Sequence, residues 1–157
     1  MKSLRIGASI LAAMAFGYTS SAVAGSIDVL GENIEVAEPG ETFELANGQI
    51  YSTLRSKLVH IGVSEGNPFD KAISTCSASC TMEADASAGM CFGACSGYDV
   101  DGDVYHFVWD GFAEGTWTIV GGTGKWEGSS GSGMWYPGTM ASSGFANPNW
   151  DGTITMK

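Results

Sequence analysis

The spacing of the four cysteines places the strongest constraint on how this chain can fold. They follow the pattern C-x3-C-x10-C-x3-C over Cys76, Cys80, Cys91 and Cys95. Directly opposed residues of an antiparallel hairpin have a constant sum of positions, and Cys76 with Cys95 and Cys80 with Cys91 share one sum. Because the two cysteines of each strand are four residues apart, both pairs lie on one face of the hairpin. Directly opposed residues of antiparallel strands have Cα separations of about 4.5–5.5 Å, which suit a disulfide. The pattern predicts two cross-strand disulfides, Cys76–Cys95 and Cys80–Cys91.

The N-terminus indicates an oxidising compartment for these cysteines. Residues 1–24 combine the basic Lys2 and Arg5, the apolar run "IGASILAAMAF" and the small-x-small sequence "AVA", a combination typical of a cleaved signal peptide. The run is too short to span a bilayer, although a single membrane anchor is the alternative. We expect a periplasmic or secreted protein that starts near Gly25, without membrane insertion once the signal is removed. Export favours disulfides, while a single disulfide or a zinc site stays open.

The charge and length of residues 25–157 restrict the function. Five basic and 17 acidic residues give this part of the chain a net charge of −12. Such a chain repels phosphate backbones and anionic headgroups, so we exclude nucleic-acid binding. The 133 residues are enough for one domain with a hydrophobic core, but too few for two such domains.

Glycine content and tryptophan spacing predict an all-β chain. Glycine makes up 21 of these 133 residues, about twice the usual share of roughly 7%. Tryptophans recur after eight or nine residues at positions 109, 117, 126 and 135, the length of one strand and a tight turn. Asn47-Gly48 is a strong hairpin signal. We predict about eight antiparallel strands in a single domain over 42–157, preceded by a solvated acidic arm over 25–41.

The glycine-rich stretch "IVGGTGKWEG" is not a phosphate-binding loop. A P-loop requires G-x4-G-K-[ST] between a strand and a helix. Ile119 stands where the first glycine should be, Trp126 replaces the Ser or Thr, and the glycine-rich sequence beyond cannot be a helix. A hairpin turn remains, so we expect no nucleotide and no other cofactor.

The acidic stretch "DVDGDV" resembles a calcium loop only superficially. An EF-hand loop needs Gly at position six and Glu at position twelve, where this chain has Val104 and Asp110. A hairpin turn at Asp101-Gly102 explains the stretch without a metal. We therefore expect no metal site, with calcium on Asp99, Asp101 and Asp103 as the alternative.

The stretch "GTWTIVGGTGKWEGSSGSGMW" resembles the G-G-[TS]-G-x-[FW]-x-G-x-x-G motif of the allene oxide cyclase and dirigent barrels. The match rests on Gly121, Gly122, Thr123, Gly124, Trp126, Glu127, Gly128 and Gly131. A weaker similarity to exported bacterial proteins of that superfamily extends over most of 40–157. The resemblance implies an eight-stranded antiparallel β-barrel, lipocalin-like in shape and often trimeric, whose lumen takes small apolar molecules. The cyclases close a fatty-acid epoxide and the dirigent proteins orient phenoxy radicals; no catalytic residue of either group aligns here.

Strand alternation offers two faces that could line such a lumen. An inward aromatic face would make a binding protein, with ligand contacts from Tyr105, Phe107, Trp109, Trp117 and Trp126, accompanied by Ile119 and Trp150. An inward polar face would instead support an isomerase or cyclase that uses His106 with Glu127 or Lys125. Ordinary burial favours the aromatic face, although trimer formation could bury an aromatic exterior.

We therefore expect an exported barrel that binds a small apolar molecule in its lumen and guides its isomerisation or cyclisation. The true isomerase or cyclase is the first alternative, and a structural or interaction protein with a filled barrel and no ligand is the second. A homotrimer is the assembly that the resemblance implies. His60 and His106 are single histidines on predicted strands, which is more typical of surface or core residues than of catalysts.

Overall fold

The computed structural model describes residues 25–141 and 144–157, so the predicted signal peptide at 1–24 lies outside the described residues. The described chain contains nine strands and one 3-10 turn: β1 (Gly25–Glu44), β2 (Ile50–Gly62), β3 (Ile73–Met82), β4 (Gly89–Tyr98), β5 (Val104–Gly111), β6 (Gly115–Gly122), the 3-10 turn (Gly124–Trp126), β7 (Ser130–Tyr136), β8 (Phe145–Ala146) and β9 (Asn149–Met156). No helix in this part of the chain is long and apolar enough to cross a membrane.

Eight of the strands form a closed antiparallel ring. The order is β1-β2-β3-β4-β5-β6-β7-β9, and the long strand β1 closes it by pairing with β9 over residues 25–32 and with β2 over residues 31–44. The two-residue strand β8 adds a short pairing to β1. This architecture confirms the predicted eight-stranded antiparallel barrel.

The segment 25–41, expected to be a solvated arm, is instead part of β1. Its buried residues alternate with exposed ones at Val29, Gly31 and Asn33, as they do in a strand with one face inward. Pro39 does not end the strand, because the register with β2 shifts between Pro39 and Thr42. The acidic residues concealed this alternation in the sequence.

Both predicted disulfides are present in the β3–β4 hairpin. Cys76 is bonded to Cys95 and Cys80 to Cys91, and each pair is directly opposed in the strand register. The Cα separations are 4.1 and 4.0 Å. All four side chains are buried, so the bonds join the two strands on their lumen side.

Glycines opposite large aromatic rings explain much of the glycine content. Four ring-bearing residues each pair directly with a glycine of the neighbouring strand: Tyr105 with Gly97, Trp109 with Gly93, Trp117 with Gly133, and Trp150 with Gly31. A Cβ atom at any of these glycines would overlap the opposing ring. These glycines therefore leave space for the aromatic rings inside the barrel, while other glycines form its turns.

One end of the barrel is filled by a packed aromatic core. Phe69, from the connection between β2 and β3, inserts between the strands, with ring centroids 5.0 Å from Trp126 and 5.1 Å from Tyr105. Trp126 and Tyr105 are completely buried, as is Ile154 of β9. The other end, where the β5–β6 turn and the β7–β9 connection lie, is not filled in this way.

Candidate functional site

The unfilled end of the barrel contains a cavity of about 320 Å³. Phe69, His60 and Trp150 separate it from the packed core, and Pro137 and Met140 of the β7–β9 connection lie at its rim. The large apolar side chains of its wall are Leu54, Leu58, Phe69, Phe107, Trp109, Phe112, Trp117, Trp135, Met140 and Trp150. The barrel is therefore only partly filled by its own side chains.

Four tryptophans in the cavity wall form two perpendicular pairs. The rings of Trp109 and Trp135 lie 5.8 Å apart at 83°, and those of Trp117 and Trp150 lie 6.3 Å apart at 89°. Such edge-to-face arrangements are favourable for indole rings.

Hydrogen bonds fix the orientation of three of these indoles. Trp117 Nε1 donates to the backbone oxygens of Met134 and Asp151, at 3.1 and 3.0 Å. Trp135 Nε1 donates to the backbone oxygen of Asp110 at 2.7 Å. Trp150 Nε1 donates to Asn33 Oδ1 at 3.0 Å. The polar edges of these rings are thus occupied by the protein, and their carbon surfaces remain for a ligand.

The predicted aromatic face does point inward, but only part of it reaches the cavity. Phe107, Trp109 and Trp117 line the wall. Tyr105 and Trp126 are fully buried in the core beneath it. The Tyr105 hydroxyl is buried there, and burial raises its pKa well above the ordinary value.

A strip of polar side chains crosses the cavity wall on β1 and β2. Asn33 is directly opposed to His60 in the register, and Glu35 to Leu58. Asn33, Glu35, Ser56 and His60 all line the cavity. Diagonal neighbours on one face of an antiparallel pair are about 7–8 Å apart, so Glu35 and His60 can act on a single small molecule.

Burial sets the ionisation of the two titratable groups in this polar strip. It raises the pKa of Glu35, an effect that a hydrogen bond with Ser56 partly offsets. Burial also lowers the pKa of His60 to about 4, because the charged imidazolium loses its solvation there. At neutral pH His60 is therefore an uncharged imidazole, whose Nε2 lies 2.9 Å from Ser74 Oγ.

The predicted catalytic candidates lie outside the lumen, which corrects the polar-face hypothesis. His106 is exposed on the outer face of β5, and Glu127 is exposed after the 3-10 turn. Lys125 forms ion pairs with Asp99 at 3.0 Å and Asp101 at 2.6 Å. For His106 strand alternation is the cause, because its neighbours Tyr105 and Phe107 occupy the inward positions of β5. Lys125 and Glu127 lie in the 3-10 turn and directly after it.

The lumen's own acid and base, Glu35 and His60, were not identified as a site in the sequence. Glu35 lies in the acidic segment that we expected to be a solvated arm. His60 lies between apolar residues in "LVHIGVS", where a histidine of the core is the ordinary interpretation. The alternation of "NIEVA" in β1 is the signal that would have placed Glu35 on an inward face.

The acidic turn is organised around the buried carboxylate of Asp99. Its Oδ1 accepts hydrogen bonds from the backbone amides of Asp101 and Asp103, and its Oδ2 accepts one from Trp126 Nε1 at 2.7 Å. Burial alone would raise the pKa of Asp99, but hydrogen bonds from Trp126, Lys125 and these amides outweigh it, so the pKa is lowered. Within 25–141 and 144–157 no three His, Cys, Asp or Glu side chains are placed to hold a metal. The absence of calcium binding stays a prediction.

Comparisons with known proteins support the fold. No protein-family model matches this chain, and no curated protein sequence matches it. The pterocarpan synthase dirigent protein GePTS1 superposes with a TM-score of 0.55 at 12% identity, over 85% of this chain and 86% of that chain. The pterocarpan synthase dirigent protein PsPTS1 gives 0.53 at 11% identity, over 84% and 96%. The expected resemblance to the dirigent barrels is therefore confirmed at the level of the fold.

Proposed function

We propose that this protein is an exported barrel that binds one small apolar molecule in its lumen. The cavity of about 320 Å³, walled by fixed aromatic rings and closed at one end, carries the proposal. Ligand sites are typically concave, largely apolar and about 300–1,000 Å³ in volume, with a few polar groups. The cavity also argues against a barrel filled entirely by its own side chains.

The likeness to dirigent proteins supports a lumen that guides a reaction of its ligand. Glu35 and His60 favour an isomerase or cyclase as the second candidate function, because a carboxyl group and a neutral imidazole on one wall could transfer a proton. A Glu35→Gln variant that still binds a neutral probe in the lumen but no longer converts the ligand would support this candidate. Equal rates of conversion of the ligand by the variant and the wild type would contradict this candidate.

Filling the cavity is expected to abolish ligand binding without unfolding the protein. Ala146 of β8 lines the cavity, and phenylalanine at this position would occupy the space next to Glu35. We predict that the neutral fluorescent probe N-phenyl-1-naphthylamine binds the wild type and that Ala146→Phe weakens this binding at least tenfold. Fluorescence titration measures the effect.

The adjacent residue provides a matched control. The Phe145 side chain is exposed and does not line the cavity, so Phe145→Ala should bind the probe as the wild type does. Circular dichroism should show that both variants remain folded. Unchanged probe affinity in folded Ala146→Phe would contradict binding in the lumen.

We also propose that copies of the chain associate, with a homotrimer as the expected assembly. Four apolar side chains form a directly paired row on the outside of β1–β4, at Ile34, Val59, Ile73 and Tyr98. Each is about two-fifths or more exposed, and contiguous apolar surface of this kind is typical of interfaces. Light scattering should give a trimer mass that Ile73→Lys lowers; a monomer mass for the wild type would contradict the proposal.

Export is the remaining part of the proposal. The two disulfides fit an extracellular or periplasmic protein, because thiols stay reduced in the cytosol. N-terminal sequencing of protein from the periplasm or medium should start at Gly25. Recovery only from the cytosol, with Met1 retained, would contradict export.

A further inference from the structure

We infer that the lumen selects an organic cation: a small, mainly apolar molecule that carries an ammonium group. This inference rests on the proposed function, because it assigns the chemical class of the ligand in the same cavity. Two features of the wall carry it, a set of aromatic rings fixed in place and one carboxyl group without a cationic partner.

The aromatic walls suit a cation better than they suit an ordinary apolar group. The faces of aromatic rings attract cations, tryptophan most strongly, and the attraction increases in a desolvated site. Four tryptophans line this cavity in two perpendicular pairs, Trp109 with Trp135 and Trp117 with Trp150. The protein occupies the indole N–H groups of three of them, so these rings offer a ligand little except their carbon surfaces.

The carboxyl group of Glu35 supplies the complementary charge. Glu35 lines the cavity, and no ion pair joins it to another of the described residues. None of the described residues that line the cavity is a lysine or an arginine. A buried carboxylate without a counter-ion is unfavourable, and an ammonium group in the cavity would provide that counter-ion.

The negative charge of Glu35 and that of the chain as a whole act against anionic ligands. An apolar acid would bring its carboxylate near Glu35 in a wall without a compensating cation. His60 does not compensate at neutral pH, because its imidazole is uncharged. The net charge of the whole chain, −10, further repels anions and raises the local concentration of cations.

Three probes of similar size but different charge test this inference on the mature protein, residues 25–157. Benzyltrimethylammonium is the cation, neopentylbenzene its neutral isostere and 3-phenylpropionate an apolar anion. Each competes with N-phenyl-1-naphthylamine at pH 7.5 and 150 mM salt, which screens the distant surface charges. We expect the cation to bind at least tenfold more tightly than the neutral isostere, and the anion to displace the probe least.

Two glutamine variants locate the origin of the selectivity. Glu35→Gln keeps the shape of the side chain and removes its charge, so the cation's advantage should fall at least fivefold. Glu38→Gln removes a charge from an exposed side chain of the same strand and should leave the ratio unchanged.

The outcomes separate this inference from the proposed function. Equal or tighter binding of neopentylbenzene would overturn the inference while leaving lumen binding intact. A selectivity that Glu35→Gln leaves unchanged would also overturn it. If direct calorimetric titration shows that the wild type binds neither N-phenyl-1-naphthylamine nor any of the three competitors, both are overturned.

Discussion

Replacing Trp126 by alanine is expected to lower the free energy of unfolding by about 3–5 kcal/mol, the usual range for removing a large aromatic side chain from a core. Trp126 is fully buried and packs against Phe69 and Tyr105. Its indole N–H also donates to the buried carboxylate of Asp99, which would lose that partner. Urea denaturation of the wild type and the variant measures the difference.

The adjacent residue is the matched control for this prediction. Glu127 is exposed, so Glu127→Ala should change the free energy of unfolding by less than about 1 kcal/mol. A small loss for Trp126→Ala, or a larger one for Glu127→Ala, would contradict the inward orientation of the aromatic face.

Lowering the pH from 7 to 4 is expected to destabilise the wild type through His60 by about 3 kcal/mol. The pKa of this histidine is about 4 in the folded protein and near 6.5 in the unfolded chain. Between these values the unfolded chain binds a proton that the folded state excludes. Stability is therefore lost as the pH falls through this window, and the loss levels off only below pH 4.

A glutamine substitution isolates this contribution. His60→Gln cannot titrate, so its loss of stability between pH 7 and pH 4 should be smaller than that of the wild type by about 3 kcal/mol. Identical profiles for the wild type and His60→Gln would contradict the burial of an uncharged imidazole.

The sequence was informative where one physical rule acts alone. The positions of Cys76, Cys80, Cys91 and Cys95 define a hairpin register by arithmetic, and the structure has that register. The regular spacing of the tryptophans reflects strand length and a closed meander. Burial of large aromatic rings was sufficient to choose the inward face of β5 and β6.

The cavity could not be predicted in the same way, because it depends on which side chains fill one end. Phe69 fills that end from the connection "EGNPFDKA", a stretch without strand alternation. The position of Phe69 depends on the path of the connection between β2 and β3 across the end of the closed barrel. Once Phe69 is placed, Tyr105 and Trp126 belong to the core and Phe107, Trp109 and Trp117 belong to the cavity.

The polar strip was missed for a different reason. Five glutamates recur at every third residue from Glu32 to Glu44, a spacing that suggests a solvated segment. In the structure β1 alternates, so Glu35 points into the lumen while Glu38 is exposed. Charged residues are usually exposed, but the charge alone does not determine the exposure of a particular residue, and binding sites often contain the exceptions.

Titration with N-phenyl-1-naphthylamine, followed through the indole N–H signals in a nitrogen–proton NMR spectrum, tests lumen binding most directly. The five tryptophans divide between the two ends of the barrel: four line the cavity and Trp126 lies in the packed core. We predict that the signals of Trp109, Trp117, Trp135 and Trp150 shift with a single affinity, while that of Trp126 shifts least. Saturable binding that leaves these four signals unchanged, or that shifts only residues on the outer surface, would contradict a ligand site in the lumen.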